Sequence, residues 1–409
     1  MRHEPVRPVI RGVTFTAAAL LGSAASAQDI RLSPLLDVRL RYGQVEQAGI
    51  ADRAEAATAR IRSGIRADAG HFQALVETEA TLAIVERYDS NTNGLTRYPI
   101  VADPQNIELN RAQLRYRGGD YTATVGRQVI ELADQRFVGS GAFRQNQRTF
   151  DAARAQWGDP KRLFTDVTYA WSDRTTNGID GRGARPQAIG GDNLFALAGL
   201  QTPVGTLTGF GYLVDQDDPA VQGFRLSSQT YGVRLAGTRA LGPNAAIAYA
   251  ASWARQSDWH RNPLDFTADY WLVEATASLG IVSLTAGHEV LGADDGRALT
   301  SVQAPLSALF KFQGWADKFT TTPPDGVRDL YGTAGLAWKR LGPFSGAGLS
   351  ATYHRFRSDR LDQRYGSEWD LLASVKRGRT TVQARYARYR AEQFATDTDK
   401  LWLEVNWAL

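Results

Sequence analysis

The spacing of turns in this chain constrains its fold more than any other feature. Short turn signals recur at Asp68-Ala69-Gly70, Gly118-Gly119-Asp120, Gly158-Asp159-Pro160 and Pro203-Val204-Gly205. They continue at Gly242-Pro243-Asn244, Gly280, Gly342-Pro343 and Arg377-Gly378-Arg379. Each is flanked by runs of roughly 10–13 residues that alternate with period two, the signature of a half-buried strand. Between successive turns lie longer polar stretches, at 84–106, 131–146, 172–190, 215–228, 256–266, 292–327, 357–367 and 391–398, with a first near 44–56. Short connections on one side and long ones on the other describe a barrel whose turns face the periplasm. The expectation is an all-β fold: a transmembrane antiparallel β-barrel of about 18 strands, with short periplasmic turns and long extracellular loops.

The alternation carries the chemistry this requires. In the first strand Leu36, Val38, Leu40 and Tyr42 share one face, and Asp37, Arg39 and Arg41 the other. The second sets Ala59, Ile61 and Ile65 against Arg60, Arg62 and Arg66; the fourth sets Ala112, Leu114 and Tyr116 against Arg111, Gln113, Arg115 and Arg117. A charge facing lipid at mid-bilayer costs about 2–4 kcal/mol, so the charged faces are expected to line the lumen. The uncharged run Asn193–Val214 is the best candidate for a membrane helix, yet Thr202-Pro203-Val204-Gly205 would break it in the middle. Read as two strands around a turn, it fits. Mean hydropathy is negative, as it is for a barrel that shows lipid only every second strand residue.

Both ends agree. Arg2, His3, Arg7 and Arg11 precede an uncharged stretch that closes on Ala25-Ser26-Ala27, the pattern of a cleavable secretory signal. Residues 1–27 are therefore expected to be removed after Sec-type export, and 28–409 to form the barrel in the bacterial outer membrane. At the other end Leu401, Leu403, Val405, Trp407 and Leu409 alternate with Trp402, Glu404, Asn406 and Ala408. Such a strand resembles the signal read by the barrel-assembly machinery, with Leu409 in place of the usual terminal Phe. The implied partners are outer-membrane lipid and that machinery, and no nucleic acid.

Catalysis finds little footing. There is no cysteine, and the five histidines form no HExxH-like pair. Ser140 sits in Val138-Gly139-Ser140-Gly141, which is not a GxSxG elbow. No enzyme activity and no cofactor are expected. Asp215-Gln216-Asp217-Asp218 reads as a solvated loop tip, with calcium binding as the other chemistry such a stretch supports.

The lumen is rich in arginine: Lys and Arg total 47, of which 6 are Lys. A guanidinium offers a planar fork of donors matched to carboxylates and always carries charge. Parity turns Arg39, Arg41, Arg60, Arg62, Arg66, Arg111, Arg115, Arg117, Arg154, Arg234 and Arg385 inward. Rings of basic side chains favour anions, although a net charge of only +4 means that much of this charge is paired. The loop after the fifth strand holds Glu131, Asp134, Arg136, Arg144 and Arg148 with Phe137 and Phe143. It suits an inward constriction or an external lid, with Glu131 and Asp134 balancing Arg136 and Arg144.

Two blocks resemble the alginate-export family of outer-membrane porins. The first is Gly126-Arg127-Gln128, Asp134-Gln135-Arg136-Phe137-Val138-Gly139, Phe143-Arg144-Gln145-Asn146 and Thr149-Phe150-Asp151. The second runs from Lys311-Phe312-Gln313-Gly314-Trp315-Ala316-Asp317-Lys318-Phe319 through Thr322-Pro323 to Asp329-Leu330-Tyr331. Ala308-Leu309-Phe310 stands where many relatives carry Thr-Leu-His, so a role for that His is not carried over. The resemblance implies an 18-stranded channel with an electropositive lumen passing an anionic polysaccharide such as alginate, with Lys311, Trp315, Asp317 and Lys318 on a loop of the second block. The same barrel run the other way is an uptake porin for carboxylated oligosaccharides or small organic anions, and fold alone does not decide between them.

Overall fold

The computed structural model describes residues 30–409, so the expected leader lies outside the described residues. Eighteen strands form one antiparallel sheet. The first nine are β1 (Arg31–Gln47), β2 (Ala54–Ala69), β3 (Phe72–Arg87), β4 (Asn106–Gly118), β5 (Tyr121–Gln128), β6 (Thr149–Gly158), β7 (Leu163–Arg174), β8 (Ala188–Thr202) and β9 (Gly205–Val214). The remainder are β10 (Ser228–Gly242), β11 (Ala245–Asp258), β12 (Thr267–Leu279), β13 (Val282–Leu291), β14 (Val327–Trp338), β15 (Gly346–Arg357), β16 (Arg364–Arg377), β17 (Thr380–Ala391) and β18 (Thr398–Ala408). Each strand pairs with its neighbours in the chain, and β18 pairs with β1 from Asp37↔Ala408 to Gln47↔Thr398. The barrel is closed and leaves no free edge.

All eight expected turns fall between strands, and the nine longer stretches become the loops at the other end. Strand lengths depart from the expectation: β1 runs 17 residues and β5 only 8. β1 outlasts the apolar belt, whereas β5 stops at Gln128, where the chain leaves the wall for the lumen. Leu40, Ile61, Leu114, Val273, Leu284 and Leu403 stand exposed on the outer face. Exposed aromatics collect towards both rims, Phe72, Tyr121 and Trp157 near the turns and Trp171, Trp271 and Trp369 nearer the loops. An apolar belt between two aromatic girdles is the outer surface of a membrane-spanning barrel.

The inner face is polar and buried. Arg41, Arg60, Glu77, Glu79, Asp166, Glu289, Asp329, Glu368 and Glu404 are all withdrawn from solvent. They alternate with the lipid-facing residues, and burial of so many charges is explained by what else occupies the lumen.

Candidate functional site

Two long loops fill the middle of the barrel. The loop joining β5 to β6 (residues 129–148) takes the inward alternative left open by its sequence. It starts beyond Gly126, whose φ of +105° brings β5 so close to β4 that a Cβ would lie 2.3 Å from the Ala112 carbonyl oxygen; glycine fits there and an L side chain does not. The loop then crosses to β13, almost diametrically opposite β5 in the ring. There Arg136 meets Glu289 at 3.1 Å and lies over the Phe312 ring at 4.6 Å, while Phe137 packs on Phe210, Tyr212 and Tyr270.

The loop returns along β1. Arg39 donates to the carbonyls of Ala142, Phe143 and Arg144. Phe143 stacks on Phe310, meets Trp402 edge-on at 5.6 Å, and carries the guanidinium of Arg41 over its ring at 4.4 Å. Gln145 donates to Thr58, its backbone N–H to Asp103, and Asn146 donates to the Pro104 carbonyl. The first motif block thus supplies the side chains that moor this loop on both walls.

The loop joining β13 to β14 (residues 292–326) lies against it. Arg148 donates to the Ser307 carbonyl, and Asp317 bridges Arg144 at 3.1 Å and Lys400 at 3.0 Å. Phe310, the departure from the alginate-export pattern, fills the space between Phe143 and Trp315 as an apolar stack. The N–H groups of Trp315 and Ala316 donate to Asp370 and Glu368. Gly314 sits beside the Glu368 carboxylate at a φ of +76°, a left-handed conformation that favours glycine, so the second motif block also needs its glycine.

Charge on this loop is tuned by its insertion. Burial disfavours the Asp317 carboxylate, but Arg144 and Lys400 outweigh it and hold the group below the usual range. Burial, with Lys400 adding to it, pushes Lys318 down to about 8. The inserted loop therefore binds fewer protons at Lys318 than a released loop with an ordinary lysine near 10.5. Insertion should strengthen as pH rises from about 8 to about 10.5, and the penalty is fully present below that window. Single-channel recordings should show fewer loop-dependent current fluctuations across that rise, and Lys318→Met should flatten the trend. An identical trend in the variant would assign it to another group.

Most of the arginines singled out from sequence are placed on the lumen face but are not free. Arg41 lies between Glu404 at 2.9 Å and Asp103 at 2.8 Å. Arg60 pairs with Asp37, Arg62 with Glu79 at 2.5 Å, Arg66 with Asp68 at 2.9 Å and Arg111 with Glu77 at 2.8 Å. Arg154 pairs with Asp166 at 2.9 Å and Arg234 with Asp134 at 2.8 Å; Arg39 and Arg385 approach Glu404 at 3.7 and 3.8 Å. Two differ. Arg115 donates only to the Thr124 hydroxyl, and Arg117 makes no side-chain ion pair or hydrogen bond among the described residues. Both stand towards the turn end of β4, next to each other on the lumen face.

The expected partners within the first loop are corrected. Glu131 accepts from Ser140 and Asp134 pairs with Arg234, while Arg136 and Arg144 reach Glu289 and Asp317, and Arg148 reaches Asp173 at 3.1 Å. Crossing the lumen gives these side chains wall partners that sequence proximity could not indicate. Lys311 donates to the Asp134 carbonyl. Asp215 is not a solvated tip: it is buried, takes the N–H of Asp192 and lies 3.1 Å from His260. No cluster suited to a metal ion occurs among the described residues.

Sequence reasoning missed the wall facing the arginines. Glu274 on β12, Glu289 on β13, Asp329 on β14 and Glu368 and Asp370 on β16 make an acidic sector, with His354 at 2.9 Å from Asp329 and 3.6 Å from Asp370. The parity that turned the arginines inward applies equally to Leu272, Glu274 and Thr276 against Trp271, Val273 and Ala275.

With that geometry fixed, comparison with known proteins identifies the architecture. The chain is similar to OccAB4 of Acinetobacter baumannii, at 12% identity over 94% of this chain and 99% of that one, with a TM-score of 0.68. It is also similar to the Pseudomonas aeruginosa outer membrane protein OpdK (12% identity, 92% and 98% covered, TM-score 0.68) and to OpdO of the same organism (16%, 92% and 97%, 0.67). The fold is that of the 18-stranded outer-membrane porins. The sequence matches no protein-family model and no curated protein. The resemblance to alginate-export porins thus rests on its two motif blocks.

Proposed function

We propose that this protein is an outer-membrane channel through which small carboxylated solutes diffuse, serving uptake. The observation that carries the reading is the pair Arg115 and Arg117, cations on the lumen face without carboxylate partners among the described residues, in a lumen whose other arginines are mostly neutralised. A carboxylate in transit completes the hydrogen bonding of such a pair, and shallow binding of this kind attracts a solute without trapping it. Two loops moored across the lumen favour compact solutes over a polymer. A polyuronate would meet the same arginines, so alginate-like export remains the other use of the barrel, supported by the motif blocks alone.

Liposomes containing the purified protein test this by swelling. Glucuronate should enter faster than uncharged glucose of similar size, and Arg115→Gln with Arg117→Gln should remove that advantage. Equal rates in the wild-type protein would remove the basis for carboxylate preference. On the same reading residues 1–27 are a leader lost on export, so the intact mass of the membrane-extracted protein should correspond to a chain starting at Gln28.

A further inference from the structure

The barrel also carries a charged feature on its outer face, away from the lumen. At the loop end of β15, β16 and β17 the outward positions include Arg355, Ser367, Arg388 and Arg390. Arg355 is exposed and makes no ion pair or side-chain hydrogen bond among the described residues. Arg388 and Arg390 share one carboxylate, that of Asp399, at 3.9 and 2.9 Å. Elsewhere on the outer rim such arginines are paired singly, Arg127 with Asp151 at 2.7 Å and Arg255 with Asp269 at 2.9 Å. The neighbouring Arg328 and Arg357 are closed by Asp359 and Asp362, and Glu392 and Asp397 stand further out on the loop. The row of Arg355, Arg388 and Arg390 therefore keeps an excess of positive charge.

That row lies at headgroup level. Arg388 is directly across from Trp369, and Trp369 directly across from Tyr353, whose ring it meets at 4.9 Å. Trp and Tyr settle at the membrane–water interface, so the arginines stand where lipid phosphates lie. Arg355 and Arg390 flank Ser367 on the two adjacent strands, which sets their backbones about 10 Å apart, two inter-strand spacings. A headgroup with two phosphates engages both sides at once.

Below the arginines the wall is hollow. Ala373 pairs with Ala384, and the same row continues to Leu349 on β15 and Leu403 on β18. Two methyl groups between leucines that are 49% and 48% exposed leave a groove. It opens into depressions of about 390 Å³ towards β15 and about 550 Å³ towards β1. From Trp369 to Ala373 is about 13 Å along the strand, within the roughly 15 Å of hydrocarbon that one leaflet contributes. Acyl chains hanging from the arginine level reach it.

We propose that the outer face of β15–β18 is a docking site for a phosphorylated glycolipid of the outer leaflet. Its phosphates meet Arg355 on one side and Arg388 with Arg390 on the other, its sugars rest on Tyr353 and Trp369, and its acyl chains cross Ala373 and Ala384. The site is outside the lumen and stands whatever solute the channel passes.

Native mass spectrometry of the full-length folded barrel in detergent tests it, with diphosphoryl lipid A as the probe and cardiolipin and phosphatidylglycerol as comparators. Diphosphoryl lipid A should stay bound as a one-to-one adduct. Arg355→Gln with Arg388→Gln should weaken it by about tenfold or more, the loss expected for charge-assisted hydrogen bonds. Asp399 keeps Arg390 in that variant, so no carboxylate is stranded, and heat-modifiable migration on a gel verifies folding. Ala384→Phe fills the groove, leaves every arginine in place and should weaken binding several-fold. Binding unchanged in either folded variant overturns the proposal, as does cardiolipin or phosphatidylglycerol binding as tightly as diphosphoryl lipid A. A barrel dimer that Ala384→Phe dissociates, with no lipid adduct, also overturns it and gives this face to a second copy of the chain.

Discussion

Deleting residues 132–144 together with Glu289→Gln is expected to raise single-channel conductance several-fold while keeping the preference for anions. The deletion removes the arm that spans from Arg136 on β13 to Phe143 beside β1 and β18. It also frees Phe310 and Trp315 from their stack, which loosens the second loop. Conduction is limited by the narrowest section, and both structures that narrow the lumen lose their moorings. The added substitution matters because Glu289 would otherwise lose Arg136 and remain buried as a lone charge, at a cost of about 3–5 kcal/mol. Glutamine there still accepts from Tyr270 and Gln313. Anion preference should persist because Arg115 and Arg117 lie on β4, outside the deleted segment. A deletion variant that conducts no better would mean that the loops do not set the narrow section; one that loses anion preference would place selectivity in the loop.

Replacing Arg115 and Arg117 with Glu should have the second large effect, moving the reversal potential under a salt gradient from anion to cation preference. Block by a small carboxylate should weaken by about tenfold or more, since each guanidinium supplies charge-assisted hydrogen bonds of about 1.5–3 kcal/mol. Neither residue balances a buried carboxylate, so the barrel should fold normally. The paired arginines make the contrast. Arg62→Gln strands Glu79, which is fully buried, and should reduce the yield of folded, heat-modifiable protein before selectivity can be read. A folded Arg115/Arg117 variant with unchanged reversal potential would mean that these side chains stand away from the current path.

The barrel was legible because period-two alternation and turn residues are local properties of the chain. Strand faces such as Leu40 outward and Arg41 inward follow from the cost of a charge in lipid, which leaves each residue one choice. Loop placement was only half legible. Phe143 announces an apolar anchor, but its partners Phe310 and Trp402 lie far along the sequence, and no pattern within residues 129–148 points to them. Ion pairing was the least legible part. Parity gives the direction of Arg62 or Arg154, whereas the carboxylate each meets depends on barrel register, and the partner of Arg136 depends on a loop crossing the lumen. The acidic sector was within reach of the parity argument and was missed because only arginines were traced through it.

Anion preference of the channel is read from the reversal potential of the wild-type protein in a planar bilayer under a potassium chloride gradient, measured again after adding gluconate. A lumen that holds Arg115 and Arg117 as unpaired cations among the described residues should give a potential of the sign seen for chloride-preferring pores and a saturable reduction of the current by gluconate. A potential of cation-preferring sign, or a current indifferent to gluconate at every concentration, would contradict it.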